Sequence, residues 1–146
     1  MGWIGLGAAV AWLAALTVYD VRQRRLPNAL TLPGAVAVFV VAALAGRGTW
    51  ALLGGVALAA LYLLVHLIAP AAMGAGDVKL ALGVGALSGA FGSDAWVIAA
   101  VGAPLLTAVW GLLVLRPGRD RARVTVPHGP SMCVATAAAV AVVVIT

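Results

Sequence analysis

Apolar runs occupy nearly the whole chain, and charged residues are confined to the short breaks between them. Hydrophobic residues make up 64% and charged residues 9%, whereas a soluble domain carries about 25% charge. Nine basic and four acidic side chains cannot clothe a 146-residue globule in polar surface. The mean hydropathy of +1.14 makes the same point. A soluble domain and a disordered tail are excluded, and the 18 glycines lack the three-residue period of collagen. What remains is an all-α polytopic membrane helix bundle.

The apolar runs cover roughly 2–19, 31–45, 50–69, 78–91, 95–115 and 131–146. They predict about six transmembrane helices in a single domain, 1–146. Several fall short of the roughly 20 residues that cross a bilayer upright. The second, fourth and sixth are therefore expected to begin or end in the headgroup zone, or to thin the membrane locally. The opening MGWIGLG lacks the basic start of a signal peptide and reads as an uncleaved first span. No internal repeat is visible, so the usual sequence sign of an inverted-repeat transporter is missing.

Charge orients the bundle. The first break holds Arg22, Arg24 and Arg25, the third leads to Lys79, and the fifth holds Arg116, Arg119, Arg121 and Arg123. The second holds only Arg47 and the fourth no base, so alternate breaks collect eight of the nine basic residues. The positive-inside rule puts those breaks in the cytoplasm and both termini outside, N-out and C-out. Trp3, Trp50 and Trp96 then fall at the outer interface, where aromatic belts form. A pI near 10.8 raises nucleic acid as a partner. Bases in short interspan loops write topology instead, so anionic headgroups are the expected partner of the arginines and nucleic acid is not. Cys133 stands alone, which precludes an intrachain disulfide and a cysteine-rich zinc site. No metal and no cofactor are expected.

Local patterns refine the helices. Ala81, Gly85 and Gly89 repeat every four residues, a spacing that lets helix backbones approach closely. Pro104 interrupts the fifth run and should kink it or free a carbonyl. Pro27–Asn28 signals a turn, with Thr31 expected to cap the second helix and Pro33 in its first turn.

Four aspartates are the whole carboxylate inventory. Asp94 lies in the outer break and reads as solvated. Asp120 sits among four arginines and reads as a surface ion pair. Asp20 ends the first run and Asp77 opens the fourth, which places both at the cytoplasmic rim. An ionisable group there is a functional-site candidate. Each has a plainer reading: Asp20 as the partner of a neighbouring arginine, Asp77 as a helix-start acid favoured by the dipole. Sharing one face weakens both plain readings. Gly74 and Gly76 precede Asp77 and predict an irregular, closely approachable backbone that can admit an extended strand.

These blocks resemble the type IV prepilin peptidases, the bacterial branch of the GxGD intramembrane aspartic proteases. In that family a first aspartate is followed by a basic stretch and an Ile/Leu-Pro-Asn turn, matched here by Asp20 through Leu26, Pro27 and Asn28. The second block, Gly-x-Gly-Asp-x-Lys, is matched by Gly74, Gly76, Asp77 and Lys79. A late Pro-x-Gly-Pro is matched by Pro127, Gly129 and Pro130, with His128 in the variable position where an aromatic or apolar residue is usual. The resemblance implies a membrane aspartic endopeptidase with Asp20 and Asp77 as catalytic residues. Its substrate would be the leader of a prepilin or pseudopilin, cut at the face of the bacterial cytoplasmic membrane. Larger members carry a Cys-x-x-Cys domain linked to N-methylation. Its absence here implies the short, peptidase-only form of tight-adherence (Flp-type) systems, without methyltransferase activity.

Two carboxylates sharing one proton can hydrolyse a peptide by activating water, since close like charges do not both ionise. Asp20 at a helix end and Asp77 at a helix start suggest a neutral Asp20 and an ionised Asp77, with the three arginines opposing. Tyr62 and His66, four apart, share a face near the aspartates; support of the site is one reading and ordinary packing the favoured one. Lys79 is expected to snorkel to headgroups. Two other functions stay open: a small transporter or channel component using Asp20 and Asp77 as ion or proton ligands, and a non-catalytic subunit of a secretion assembly.

Overall fold

The computed structural model describes residues 3–71, 73–114 and 127–146. Six helices follow one another there: α1 (Trp3–Gln23), α2 (Asn28–Leu44), α3 (Gly48–Ile68), α4 (Ala75–Phe91), α5 (Ser93–Val114) and α6 (Gly129–Ile145). Among the described residues there is no strand. Each apolar run is one helix. Two of them, α3 and α5, are long and apolar enough to cross a membrane. The surroundings of α5 are legible from its two sides. Its buried residues are Ala95, Ala99 and Ala103, while Leu105, Leu112 and Leu113 are exposed. A helix that turns alanines inward and leucines outward is solvated by something apolar.

Short connections set α1 to α5 antiparallel in turn, and the Thr107–His128 contact brings the start of α6 to the later part of α5. The C-terminal ends of α1, α3 and α5 therefore meet the N-terminal ends of α2, α4 and α6. The centre of the bundle is α4, which packs against α2, α3, α5 and α6. Every residue from Gly83 to Ala90 is buried. Its one interior hydroxyl, Ser88, donates to the Val84 carbonyl at 2.8 Å, so α4 strands no side-chain donor in the core.

Small residues let α3 and α4 touch backbone to backbone, as the Ala81–Gly85–Gly89 spacing predicts. A Cβ on Gly85 would lie 2.6 Å from the Gly54 carbonyl oxygen, and one on Gly54 would lie 2.5 Å from the Gly85 oxygen. Trp12 of α1 wedges against glycines of two further helices. Its ring fills the space a side chain would need at Gly34 and Gly83, and its indole N–H donates to the Leu30 carbonyl at 2.9 Å. At the far end, the Arg47 guanidinium donates to the Ala90 carbonyl at 3.1 Å and caps the C-terminus of α4.

Several local expectations are corrected. The second helix starts at Asn28 with Pro27 as its N-cap, so Thr31 is not the cap. Thr31 is buried inside the helix, its hydroxyl donating back to the Pro27 carbonyl at 2.8 Å. Pro33 likewise lies inside α2, beyond its first turn. Trp96 is half-buried in the first turn of α5, packing on the core while its indole N–H donates to the Gly54 carbonyl at 2.9 Å. Trp50 is exposed. The Trp3 side chain, and the loop bearing Arg116, Arg119, Asp120, Arg121 and Arg123, lie outside the described residues.

Candidate functional site

Asp20 occupies the last turns of α1, which continues past the expected end of the first run to Gln23. The helix stops because Arg24 adopts φ +48°, a left-handed conformation common just beyond helix ends. Its N–H still bonds the Asp20 carbonyl, at 2.8 Å. The side chain of Asp20 is buried, 7% exposed. It faces the first residue of α6: a Cβ on Gly129 would come 2.5 Å from Asp20 Oδ2. The Gly129 backbone N–H is hydrogen-bonded to the Asp20 carboxylate. Glycine is required there by close approach, which joins the late Pro-x-Gly-Pro motif physically to the first aspartate.

Asp77 is the third residue of α4. Its Oδ2 accepts the Gly74 N–H at 3.3 Å while its own N–H donates to the Gly74 carbonyl at 3.1 Å. An acid in the first turn satisfies an otherwise open N–H and suits the dipole. The irregular backbone expected at the two glycines is not found. Gly74 is an ordinary extended N-cap with φ −76° and Gly76 is helical. Their contribution is space, since a Cβ on Gly74 or Gly76 would meet nothing closer than 3.5 Å. Both leave the wall low beside Asp77.

One open cavity of about 660 Å³ collects these groups. Asp20, Asp77, Gly74, Gly76, Lys79, Pro27 and Asn28 line it, with Gln23, Arg24 and Arg25 beside them. Two sequence blocks far apart in the chain thus form one wall. Their link is direct. Lys79 Nζ donates to Asn28 Oδ1 at 3.0 Å, and an ammonium has only donors, so the amide oxygen must face it. For Lys79, expected to snorkel, the contact found is this tie between α4 and the start of α2. Pro127, Gly129 and Pro130 do not line the cavity; of the three, Gly129 lies against Asp20.

Both carboxyls lie outside the apolar runs, and both are held above the usual aspartate range. Burial raises Asp20, opposed by the Gly129 N–H. Burial also raises Asp77, joined by the charge of Asp20 and opposed by the Gly74 N–H, pushing it up to about 6. The two are therefore electrostatically coupled across the cavity. The dipole of α1 alone favours a neutral Asp20. Asp20 also sits at the N-terminus of α6, which favours its anion.

Tyr62 and His66 diverge. His66 Nδ1–H donates to the Met73 carbonyl at 2.7 Å, anchoring the approach to Gly74. Tyr62 is buried in α3 and its hydroxyl meets His128 Nε2 at 2.9 Å. His128, whose other nitrogen lies 2.6 Å from Thr107 Oγ1, was not legible as a site residue. The one signal was its unusual place in Pro-x-Gly-Pro. Asp94 is exposed beside Ser93 at the opposite end of the bundle.

Comparison with known proteins gives a family and nothing nearer. The chain matches the type IV leader peptidase family over residues 7–116. That stretch contains Asp20, Pro27, Asn28, Gly74, Gly76, Asp77 and Lys79, and ends before Pro127. No curated protein and no solved structure matches. With most of its 146 residues matched, and the aspartate blocks of that stretch folded round one cavity, the chain belongs to the type IV leader peptidase family.

Proposed function

We propose that this chain is a multi-pass aspartic endopeptidase of the bacterial cytoplasmic membrane that removes the leader of type IV prepilins or pseudopilins, of the Flp or tight-adherence kind. The observation that carries this reading is the pairing of Asp20 and Asp77 across one open cavity. Asp20, its anion held by the Gly129 N–H, takes a proton from water as the water oxygen attacks the scissile carbonyl carbon. Asp77 gives its proton to the leaving amine as the C–N bond breaks. No bond to the enzyme forms. The pair shares one proton at rest, because the charge of Asp20 disfavours ionisation of Asp77.

Water reaches the carboxyls from the open end of the bundle. The substrate's apolar helix docks among the spans, with its cleavage site extended past Gly74 and Gly76. Charge is not the main means of recognition, since prepilin leaders are basic and Arg24 and Arg25 flank the same cavity. The test is co-expression with candidate prepilins, reading precursor size on a gel. Asp20→Asn and Asp77→Asn are each expected to lower cleavage by at least about a thousandfold at normal protein levels, without additive losses. Asp94→Asn should cleave normally. Near wild-type processing by either dyad variant would overturn the protease reading, and ion flux in vesicles without cleavage would favour the transporter.

A further inference from the structure

The inference concerns His128, and it rests on the peptidase reading of Asp20 and Asp77. Its hydrogen bonds define its protonation. Thr107 has a single O–H, and it donates to the Ala103 carbonyl at 3.0 Å. Were that O–H turned to His128 Nδ1 instead, at 2.6 Å, Nε2 would have to donate and the Tyr62 O–H would lose its acceptor; every donor is satisfied only when Nδ1 carries the hydrogen and Thr107 Oγ1 accepts it. In the neutral ring Nε2 is then an acceptor, matched by the Tyr62 hydroxyl donating at 2.9 Å. The two rings also pack against each other, centroids 5.5 Å apart. Burial lowers the His128 pKa, consistent with a neutral ring.

The clamp acts on one peptide plane. The His128 carbonyl accepts the Met132 N–H at 3.1 Å as α6 begins. The Gly129 N–H shares that rigid plane and points the opposite way, to the Asp20 carboxylate. Three helices converge on this single unit: α3 through Tyr62, α5 through Thr107, and α1 through Asp20.

We propose that His128, held as its neutral Nδ1–H tautomer between Tyr62 and Thr107, is a positioning residue that fixes the 128–129 peptide plane and so aims the Gly129 N–H at Asp20. It touches neither the substrate nor the reacting atoms. It keeps Asp20 aligned with Asp77 and ready to take a proton from water.

The first test needs no substrate. The chain has two histidines, so the purified full-length protein labelled with nitrogen-15 histidine gives two assignable rings, with His128→Asn identifying the second. His128 should show a protonated Nδ1 and an unprotonated Nε2; an Nε2–H tautomer overturns the proposal. The second test uses a prepilin that the wild-type chain processes. Tyr62→Phe and Thr107→Val should each lower kcat about five- to tenfold at unchanged KM, the size of one lost positioning hydrogen bond. Thr107→Ser, which keeps the hydroxyl, should restore it. Wild-type kcat in both Tyr62→Phe and Thr107→Val, or a change confined to KM, overturns the proposal. Asp20→Asn run in parallel separates the two claims. If it still cleaves, the dyad reading fails. If it is dead while Tyr62→Phe and Thr107→Val are normal, only the positioning role fails.

Discussion

Asp77 carries a cost that can be measured without any substrate. Burial first, and the Asp20 charge second, push it up to about 6 from an ordinary value of 3.8. A carboxyl raised in the folded state binds its proton more tightly there than in the unfolded chain. The stability it contributes is complete below pH 3.8 and is lost as pH rises through about 6. Asn at this position keeps the shape and never ionises. Asp77→Asn is therefore expected to melt above the wild type at pH 8 in detergent, with the gap closing at pH 3.5. Asp94→Asn, exposed at the other end, should show no such crossover. An equal gap at both pH values would mean that the gain comes from packing and not from charge.

At the scale of elements, the contact between α3 and α4 decides whether the two halves of the site meet. Gly54 and Gly85 each stand where a Cβ would strike the other's carbonyl oxygen. Backbone cannot step aside as a flexible side chain can. Gly85→Ala should cost about 1–3 kcal/mol through overpacking, lowering the melting temperature and loosening α4 from its neighbours. Gly7 in α1 is the control: nothing lies within 4 Å of its Cβ position, so Gly7→Ala should stabilise by roughly 0.5–1 kcal/mol. Thermal unfolding of the three proteins in one detergent decides it. A harmless Gly85→Ala would mean that the helices sit further apart than described. Because α4 carries Asp77 and Lys79 at one end and the Arg47 cap at the other, a shift of this helix is also a shift of the cavity.

At the scale of the whole molecule, the proposed topology puts the cavity in the cytoplasm and the Arg47 end outside. Thiol labelling of intact cells tests it. In a Cys133→Ala background, cysteines at Thr49 and Asp94 should react with an impermeant reagent and one at Asp120 should not. Thr49 is preferred to Arg47, whose guanidinium caps α4. Labelling at Asp120 would turn the molecule over and move the proposed active site to the wrong face. The outward leucines of α5 and the alanines behind them fit a lipid environment. Immersion and orientation are nevertheless separate questions, since the first follows from apolar surface and the second from the loop charges.

The helices and both aspartates were legible because their signals are local. A long apolar run writes its own helix, a Gly-x-Gly-Asp block writes a helix start, and short loops put alternate breaks at the same end. What the sequence left undecided depends on partners remote along the chain. Lys79 finds Asn28 from 51 positions away, and Tyr62 finds His128 from 66. No periodicity reports such pairs. The protonation argument shows the limit most plainly. Read along the chain, Asp20 belongs to a helix C-terminus, which disfavours an anion. Only packing brings the N-terminus of α6 against it, and the Gly129 N–H then pulls the other way. Composition and motif determined that this chain is a helical bundle and singled out two aspartates as candidate site residues. The tertiary structure alone decided which dipoles, hydrogen bonds and charges each aspartate meets, because electrostatic effects follow distance in space and not separation in sequence.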